Sequence, residues 1–535
     1  MTLSRAGDEF QEFRLRCLDV IHDVVFIIGS AECFQQIFVS IQEDRGEWNR
    51  FEARLFCMNP MVKLLRGEDP TPGYLLQMIV GLPQDVHIQV RHTCVVLIGD
   101  LANWISEHTE LVDGTFQYIL SSLQHKDLAQ MAAYALAKFA AANGQGMGKM
   151  FPVLLEVSKA VDNLGIDNEG VIAVLTACAS VLSFMDPNTI TDGLMHLCTP
   201  HVQPLAEAVK SNGQSDPVKY LDRLACIFRN MTVSVDGREH PCKKVIEQLW
   251  DLFKVIVDKY KSDDRVMERH FRCIRFGIRC IGQDFMQLMQ PLVELMVNLY
   301  AEHQLSCLLY IGSVLIDEYG KNKAAEAPLM QMVKSFAQPT FKILSVERGL
   351  FNHPDTVDDF FRLCIRCLQQ CTLTFLRNDQ MDSIVQLAVV GTTLDHRDAN
   401  LSVMKFLIEL TKCTYIEQSR PEFNEIRDRV ALVESLLGKY GQEIVKGLVQ
   451  ACAGGIQPFM LPDVADVVWE MMQFCQMPTL LWLKNALTTL PSHNASGAVN
   501  ATPKQIEAFY NTIAGASAVK VLWREFREFA KYFSI

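Results

Sequence analysis

The sequence has no long apolar run and few signals for β-structure. Its longest apolar stretches without charge, Gly170 to Met185 and Gly447 to Pro462, are shorter than the roughly 20 residues with which a helix crosses a bilayer. Alternating β-branched runs are scarce, and so are the hairpin signals in which Asn-Gly or Asp-Gly joins two such runs, which argues against an all-β domain. The first residues also lack the basic-then-apolar order of a signal peptide. We therefore predict a helical protein with no membrane segment.

Sequence signatures of catalysis and of cofactor or metal binding are also missing. No GxSxG or HExxH motif occurs, and Gly144-Gln-Gly-Met-Gly lacks the preceding strand and the Gly-Lys-Ser/Thr ending of a phosphate loop, so we predict an inter-helix turn there. Cys364, Cys367 and Cys371 share one helical face, but no fourth ligand accompanies them, and burial explains them better. We predict no enzymatic activity, no cofactor and no metal site.

The 17 cysteines lie in apolar helical stretches, as at Cys178, Cys226 and Cys452. This placement does not resemble a secreted disulfide framework and predicts reduced thiols in the cytosol or nucleus. The formal net charge of −12 disfavours non-specific nucleic-acid binding, which usually needs a broad basic surface. We expect no direct contact with nucleic acid.

What the chain does contain is a succession of amphipathic stretches separated by short breaks rich in Pro, Gly, Asn or Asp. Examples are Val86–Ser106, Leu128–Ala142, Val218–Asn230 and Val357–Cys371. Paired helices at a spacing of roughly forty residues indicate an all-α solenoid of HEAT or armadillo type, with about eleven antiparallel pairs in one superhelical arch over residues 1–535. The small, polar segment 491–503 is predicted to be a flexible loop.

One predicted helix, 262–282, carries a row of arginines on a single face. At about 100° per residue they fall within roughly a third of its circumference. The row consists of Arg265, Arg269, Arg272, Arg275 and Arg279. The opposite face, predicted to be buried, consists of Val266, His270, Cys273, Ile274, Gly277 and Ile281.

Like charges on one face repel one another, and within the helix only Glu268 is placed to pair with an arginine, Arg272. A polyanionic ligand explains such a row, because guanidinium binds phosphate or carboxylate bidentately and stays charged. The alternative is that the arginines pair with acids on neighbouring helices. A second charged feature, Asp355 with the adjacent Asp358 and Asp359, stands at a predicted helix start, where the helix dipole favours acids.

Several segments resemble the transportin-SR subfamily of the importin-β superfamily, and the resemblance is in register from about Phe10 through most of the chain. The segments are HPCKKVIEQLW (240–250), ERHFRCIRFGIRCIG (268–282), HPDTVDDFFRL (353–363), TTLDHRDANLSVMKFL (392–407) and LPDVADVVWEMMQ (461–473). The resemblance implies a HEAT-repeat nuclear import receptor that shuttles between cytoplasm and nucleus. Such a receptor carries phosphorylated Arg/Ser-rich splicing factors past nucleoporins and releases them on binding Ran-GTP.

The resemblance also implies site residues. The arginine row would receive the phosphorylated Arg-Ser segment, and Asp358 and Asp359 would contact the folded part of the cargo. The chain resembles the middle and C-terminal part of such a receptor, so the main Ran contact is expected to lie outside it and its response to Ran to be weak. Two alternatives remain: a HEAT scaffold with internally paired arginines, and a solenoid whose arginines bind RNA phosphates.

Overall fold

The computed structural model describes residues 2–43, 47–65, 67–83, 85–211, 216–417, 419–493 and 499–533. Within these ranges the chain is almost entirely helical and contains no β-strand, only an isolated antiparallel bridge between His493 and Val499. The predicted all-α class is confirmed. By its internal contacts the chain divides into two compact units, 1–260 with 272–284 and 261–271 with 285–535.

The first unit is built from two layers of helices. The helices are α1 (Thr2–Ile28), α2 (Ser30–Glu43), α3 (Trp48–Val62), α4 (Thr71–Val80), α5 (Ile88–Asp100), α6 (Ala102–Ser106), α7 (Val112–Leu123), α8 (Ala129–Asn143), α9 (Phe151–Lys159), α10 (Asn168–Leu182), α11 (Pro187–Lys210), α12 (Pro217–Asn230), α13 (Lys243–Tyr260) and α14 (Asp264–Ile281). Helix α14 is divided between the units at residues 271 and 272.

In one layer α3, α5, α8, α10 and α12 each pack against the next, and α9, α11 and α13 do the same in the other layer.

The second unit repeats this arrangement. Its helices are α15 (Met286–His303), α16 (Ser306–Tyr319), α17 (Lys323–Leu344), α18 (Gly349–Asn352), α19 (Pro354–Gln370), α20 (Thr372–Leu376), α21 (Met381–Gly391), α22 (Arg397–Lys412), α23 (Ile426–Gln450), α24 (Leu461–Leu487), α25 (Pro503–Ala514) and α26 (Val519–Ala530). Helices α16, α19, α22, α24 and α26 pack in succession, while α15 packs on α17 and α21 on α23. Packing of alternate helices on one another is typical of a helical-repeat solenoid.

The boundaries follow local capping chemistry. The Asp186 carboxylate accepts a hydrogen bond from Thr189 N, and Pro187 occupies the first helical position of α11. Asp216 and Pro217 begin α12 in the same way. An aspartate cap followed by proline satisfies a free amide and presets the backbone for a helix.

Most predicted elements are confirmed, and one boundary differs. The stretch Val86–Ser106, predicted as one helix, is divided at Leu101 into α5 and α6. The glycines at 144–148 lie in two short 3₁₀ turns between helices, as predicted. Cys364, Cys367 and Cys371 are buried, also as predicted.

Part of the predicted loop 491–503 lies outside the described residues, namely 494–498. On its described flanks, Asn500 N donates to Ser492 O at 3.0 Å and Asn500 Nδ2 donates to Pro491 O at 2.9 Å. Thr502 then caps α25 through a reciprocal pair of hydrogen bonds with Gln505. These contacts close the two flanks on each other, and the flexibility of the segment stays a prediction.

Among the described residues no single helix is both long and apolar enough to cross a membrane. The bent pair of Glu12–Ile28 and Ser30–Glu43, with an angle of 115° between its members, passes that test by length and composition only.

Candidate functional site

Helix α14 is fixed at both ends by local structure. The Asp263 carboxylate accepts a hydrogen bond from Val266 N at 3.1 Å, which caps the first turn. Gly282 follows the last helical residue with a φ of +51°, a left-handed conformation that ends helices and suits glycine. Asp264 in the first turn and Arg279 in the last have the signs that the helix dipole favours.

The predicted buried face of α14 is confirmed. Val266, His270, Cys273, Ile274 and Ile281 are at most 3% exposed, and Gly277 is buried as well. Because this face is buried, its packing also fixes the orientation of the opposite face of α14. The arginine row occupies that other face, with Arg265 and Arg279 exposed and the three arginines between them half-buried.

The C-terminal half of the row lies in the first unit, beside α12. Arg272 Nη1 is 3.8 Å from Asp222 Oδ1, a distance at the outer limit of an ion pair. The Arg275 guanidinium lies over the Phe276 ring at 4.4 Å, and Arg229 of α12 lies over the same ring at 5.6 Å. Stacking on an aromatic ring holds a guanidinium in place while its donors remain usable.

A cavity of about 590 Å³ opens beside these arginines. Arg229 and Arg279 both line it, and its other lining residues are Phe228, Met231, Thr232, Val233, Ser234, Phe276 and Cys280. Two guanidinium groups at the edge of a partly apolar cavity are suited to bind a phosphate or carboxylate group. Arg229 is a member of this site that the sequence analysis missed.

The N-terminal half of the row lies in the second unit, in more acidic surroundings. Arg265 is exposed and Arg269 half-buried. Burial, together with Asp359, Glu268 and Asp264, raises the pKa of the Cys307 thiol of α16 to about 12. Asp264 and Glu268 directly precede Arg265 and Arg269 in α14, so both signs of charge occur along this half of the helix.

The predicted acidic pair is held by contacts within the second unit. Asp358 accepts a hydrogen bond from Arg362 Nε at 2.8 Å and another from the Ser402 hydroxyl. The half-buried Asp359 accepts one from Ser306, and burial and the adjacent Asp358 raise the pKa of Asp359 to about 7. At neutral pH the pair thus carries less than two negative charges, and its predicted contact with cargo stays a prediction.

The raised pKa of Asp359 predicts a pH-dependent stability. Between its ordinary value of 3.8 and about 7 the unfolded chain loses a proton that the folded chain keeps, so the free energy of unfolding falls as pH rises through this window. We expect Asp359→Asn, which imitates the neutral acid, to be more stable than the wild type at pH 8 by on the order of 1–3 kcal/mol, and by less at pH 5.

Urea unfolding at the two pH values measures this difference. Asp358→Asn is the matched control, and it should destabilise the protein because it weakens the bonds from Arg362 and Ser402. If Asp359→Asn raised the free energy of unfolding equally at pH 5 and pH 8, the raised pKa of Asp359 would be contradicted.

Two family models match the chain over the regions that contain this site and the helices before it. The Transportin-3/Importin-13 fourth TPR domain matches residues 240–344, which include α14, and the third TPR domain of the same proteins matches residues 73–157. These two regions of the chain are therefore similar to domains of Transportin-3 and Importin-13.

The curated relatives that match the chain include a transportin and several importins. The chain is 22% identical to Transportin MOS14 of Arabidopsis thaliana over 509 residues, 90% of this chain and 51% of that protein. It is 20% identical to human Importin-13 over a 570-residue alignment, 99% of this chain and 56% of that protein. The chain thus spans about half the length of the curated relatives it matches. The transportin and the importin-13 relatives match at similar identity. The comparisons therefore do not distinguish the transportin-SR subfamily from importin-13.

Solved structures share the fold. A structure of importin-13 in its cytosolic state superposes with a TM-score of 0.79 at 17% identity, covering 100% of this chain and 61% of that one. A crystal structure of importin-β superposes with a TM-score of 0.53 at 13% identity, covering 95% and 60%. The predicted HEAT-type solenoid is therefore confirmed.

Proposed function

We propose that this chain is the cargo-binding portion of a nuclear import receptor, and that the arginine row on α14 receives phosphorylated Arg-Ser segments of splicing factors. The observation that carries the proposal is the division of α14 into a fully buried face and an arginine face. The class of the chain, with relatives named as importins and a transportin, supports a role in nuclear transport.

The chemistry of the ligand fits the row. A phosphoserine carries about −1.5 to −2 charges at pH 7 and three strong acceptor oxygens. In a phosphorylated Arg-Ser repeat these anions alternate with arginines, so a receptor needs cations for the phosphates and acids for the guanidinium groups. The row supplies the cations, and Asp264 and Glu268 of the same helix supply acidic neighbours.

The remaining partners follow from the same proposal. Ran-GTP would release cargo in the nucleus, nucleoporins would be contacted during passage, and the receptor would shuttle between cytoplasm and nucleus. No enzymatic step is needed, because loading and release are binding equilibria that Ran-GTP couples.

Fluorescence anisotropy of a labelled Arg-Ser peptide, phosphorylated and unphosphorylated, tests the proposal directly. We expect binding of the phosphorylated peptide only, and weaker binding as salt rises, because salt screens exposed charges. A peptide with glutamate in place of phosphoserine separates recognition of phosphate from recognition of negative charge. Failure of the phosphorylated peptide to bind would contradict the proposal.

Competition then distinguishes the alternatives. Excess unlabelled phosphopeptide should displace the labelled one, whereas single-stranded RNA should not. Displacement by RNA at comparable concentration would favour an RNA-binding solenoid. If neither peptide nor RNA binds, a scaffold with internally paired arginines is favoured.

A further inference from the structure

Two segments of the first unit bring soft metal-ligand side chains together at the end of α14. His240 and Cys242 lie in the irregular segment between α12 and α13, and Cys280 lies in the last turn of α14. His240 is 4% exposed, Cys242 is fully buried and Cys280 is half-buried. The ligand atoms of these three residues all lie within 4.8 Å of one another.

The histidine is oriented by its own backbone surroundings. His240 Nδ1 accepts a hydrogen bond from Cys242 N at 3.2 Å, and His240 N donates to Asp284 Oδ2 at 2.5 Å. Nε2 of this buried ring makes no hydrogen bond of good geometry among the described residues, although the Val233 backbone lies close enough to the ring to interact with it. A buried imidazole nitrogen without a well-formed hydrogen bond, beside two thiols, is placed to bind a metal ion.

The two sulfurs are close but not joined. Cys242 and Cys280 are both free thiols, and a hydrogen bond links their side chains. Cys198 of α11, 2% exposed, lies outside this group of three but near enough to interact electrostatically with Cys242 and Cys280. Three thiols and one imidazole nitrogen make up a common ligand set of structural zinc sites.

We propose that His240, Cys242 and Cys280 bind a zinc ion, with Cys198 as the fourth ligand. His240 would bind through Nε2, since Nδ1 is already occupied by the backbone amide of Cys242. The thiols would bind as thiolates, and their protons would pass to solvent as the metal enters. A metal bound here ties α11, the segment 231–242 and the end of α14 together.

Such a site bears on the neighbouring arginines. Cys280 adjoins Arg279, and both line the cavity that also contains Val233 and Ser234 of the irregular segment. Between its helices this segment has only turns and bends of its own, so a metal bound to His240 and Cys242 fixes one end of it. The zinc would thus be a structural ion that positions Arg279 and the cavity wall.

The test uses the full chain, purified under reducing conditions and then freed of metal. Titration with Co²⁺ should produce thiolate-to-cobalt charge-transfer absorption and the intense d–d bands of a tetrahedral centre, both removed by about one equivalent of Zn²⁺. Cys280→Ser should weaken Zn²⁺ affinity by more than the roughly 10–100-fold typical of losing an outer-shell partner. His240→Ala should have the same effect.

Cys178→Ser is the matched control, a fully buried cysteine of the same unit outside the cluster. It should keep the cobalt spectrum and the zinc stoichiometry, with folding of every variant checked by circular dichroism. The proposal is overturned if the folded, reduced wild type gives no thiolate–cobalt bands. It is equally overturned if folded Cys280→Ser retains them, or if mass spectrometry finds Cys242 and Cys280 joined as a disulfide in the protein isolated without reductant.

Discussion

Alanine at Arg269, Arg272 and Arg275 together is expected to weaken binding of a phosphorylated Arg-Ser peptide by at least about 100-fold. Each guanidinium–phosphate pair is a hydrogen bond between charged groups, and losing three of them at partly exposed positions removes roughly 3 kcal/mol or more. Since about 1.4 kcal/mol corresponds to a tenfold change in the dissociation constant, the loss exceeds two decades. Anisotropy titration of the labelled phosphopeptide at fixed salt measures it.

A matched variant separates the row from net charge. Arg427, Arg524 and Arg527 are exposed arginines of the second unit, and replacing these three with alanine changes the net charge by the same amount. This control should bind the phosphopeptide within about twofold of the wild type, because none of its three arginines belongs to the row and exposed single charges are strongly screened by salt. Equal losses in both triple variants would show that overall charge, and not the row, determines binding.

Lysine at the same three positions gives a second comparison. Lysine keeps the charge but lacks the planar fork that binds phosphate bidentately and stacks on an aromatic ring, as Arg275 stacks on Phe276. We expect intermediate affinity, several-fold weaker than the wild type and well above the alanine variant. The thermal midpoint should change little in either variant, since the buried face of α14 is untouched.

The features that could be predicted from sequence are those that repeat along the chain. The two faces of α14 follow from the helical period alone, because its apolar residues and its arginines recur three and four residues apart. Aspartate caps followed by proline mark helix starts such as those at Pro187 and Pro217. The solenoid follows from the succession of such helices, since a single pair cannot bury its apolar face.

The features that sequence analysis missed depend on contacts between distant segments. Arg229 joins the site only because α12 packs beside the end of α14, and no period within α12 indicates this. The sequence analysis predicts no metal site, and it could not group His240 and Cys242 with Cys280, because Cys280 comes 38 residues after Cys242 and no short motif contains all three. Similarly, the bonds from Arg362 and Ser402 to Asp358 depend on the packing of α19 against α22.

Substitutions in the ion pair between Arg223 and Asp162 should lower the stability of the protein, whereas substitutions in the arginine row should weaken peptide binding. Arg223 of α12 donates to both Asp162 oxygens, at 2.7 and 3.1 Å, and its Nε donates to Asn168 Oδ1 at 2.9 Å. Its side chain is 3% exposed, whereas that of Asp162 is 59% exposed. This arginine already has the acid partners that the scaffold alternative requires, so its role is structural.

The unequal burial of the two partners predicts unequal costs of removing them. Asp162→Ala leaves a buried guanidinium without its counter-ion and should lower the free energy of unfolding by about 3 kcal/mol. Arg223→Met keeps much of the buried volume and leaves only an exposed carboxylate, so its cost should be smaller, about 1 kcal/mol. Urea unfolding of the two variants measures both costs. A larger loss for Arg223→Met would contradict the argument.

The pH dependence of the wild type provides an independent check on the same pair. The hydrogen bonds from Arg223 lower the pKa of Asp162 below its ordinary value of 3.8. The stability from this pair is therefore fully present above pH 3.8 and is lost as pH falls through the lowered pKa. The stability of Asp162→Asn should approach that of the wild type only in this acidic range. Phosphopeptide affinity at neutral pH should be unchanged in folded Asp162→Asn, because Asp162 and Arg223 stabilise the repeat without contributing a group to the arginine row.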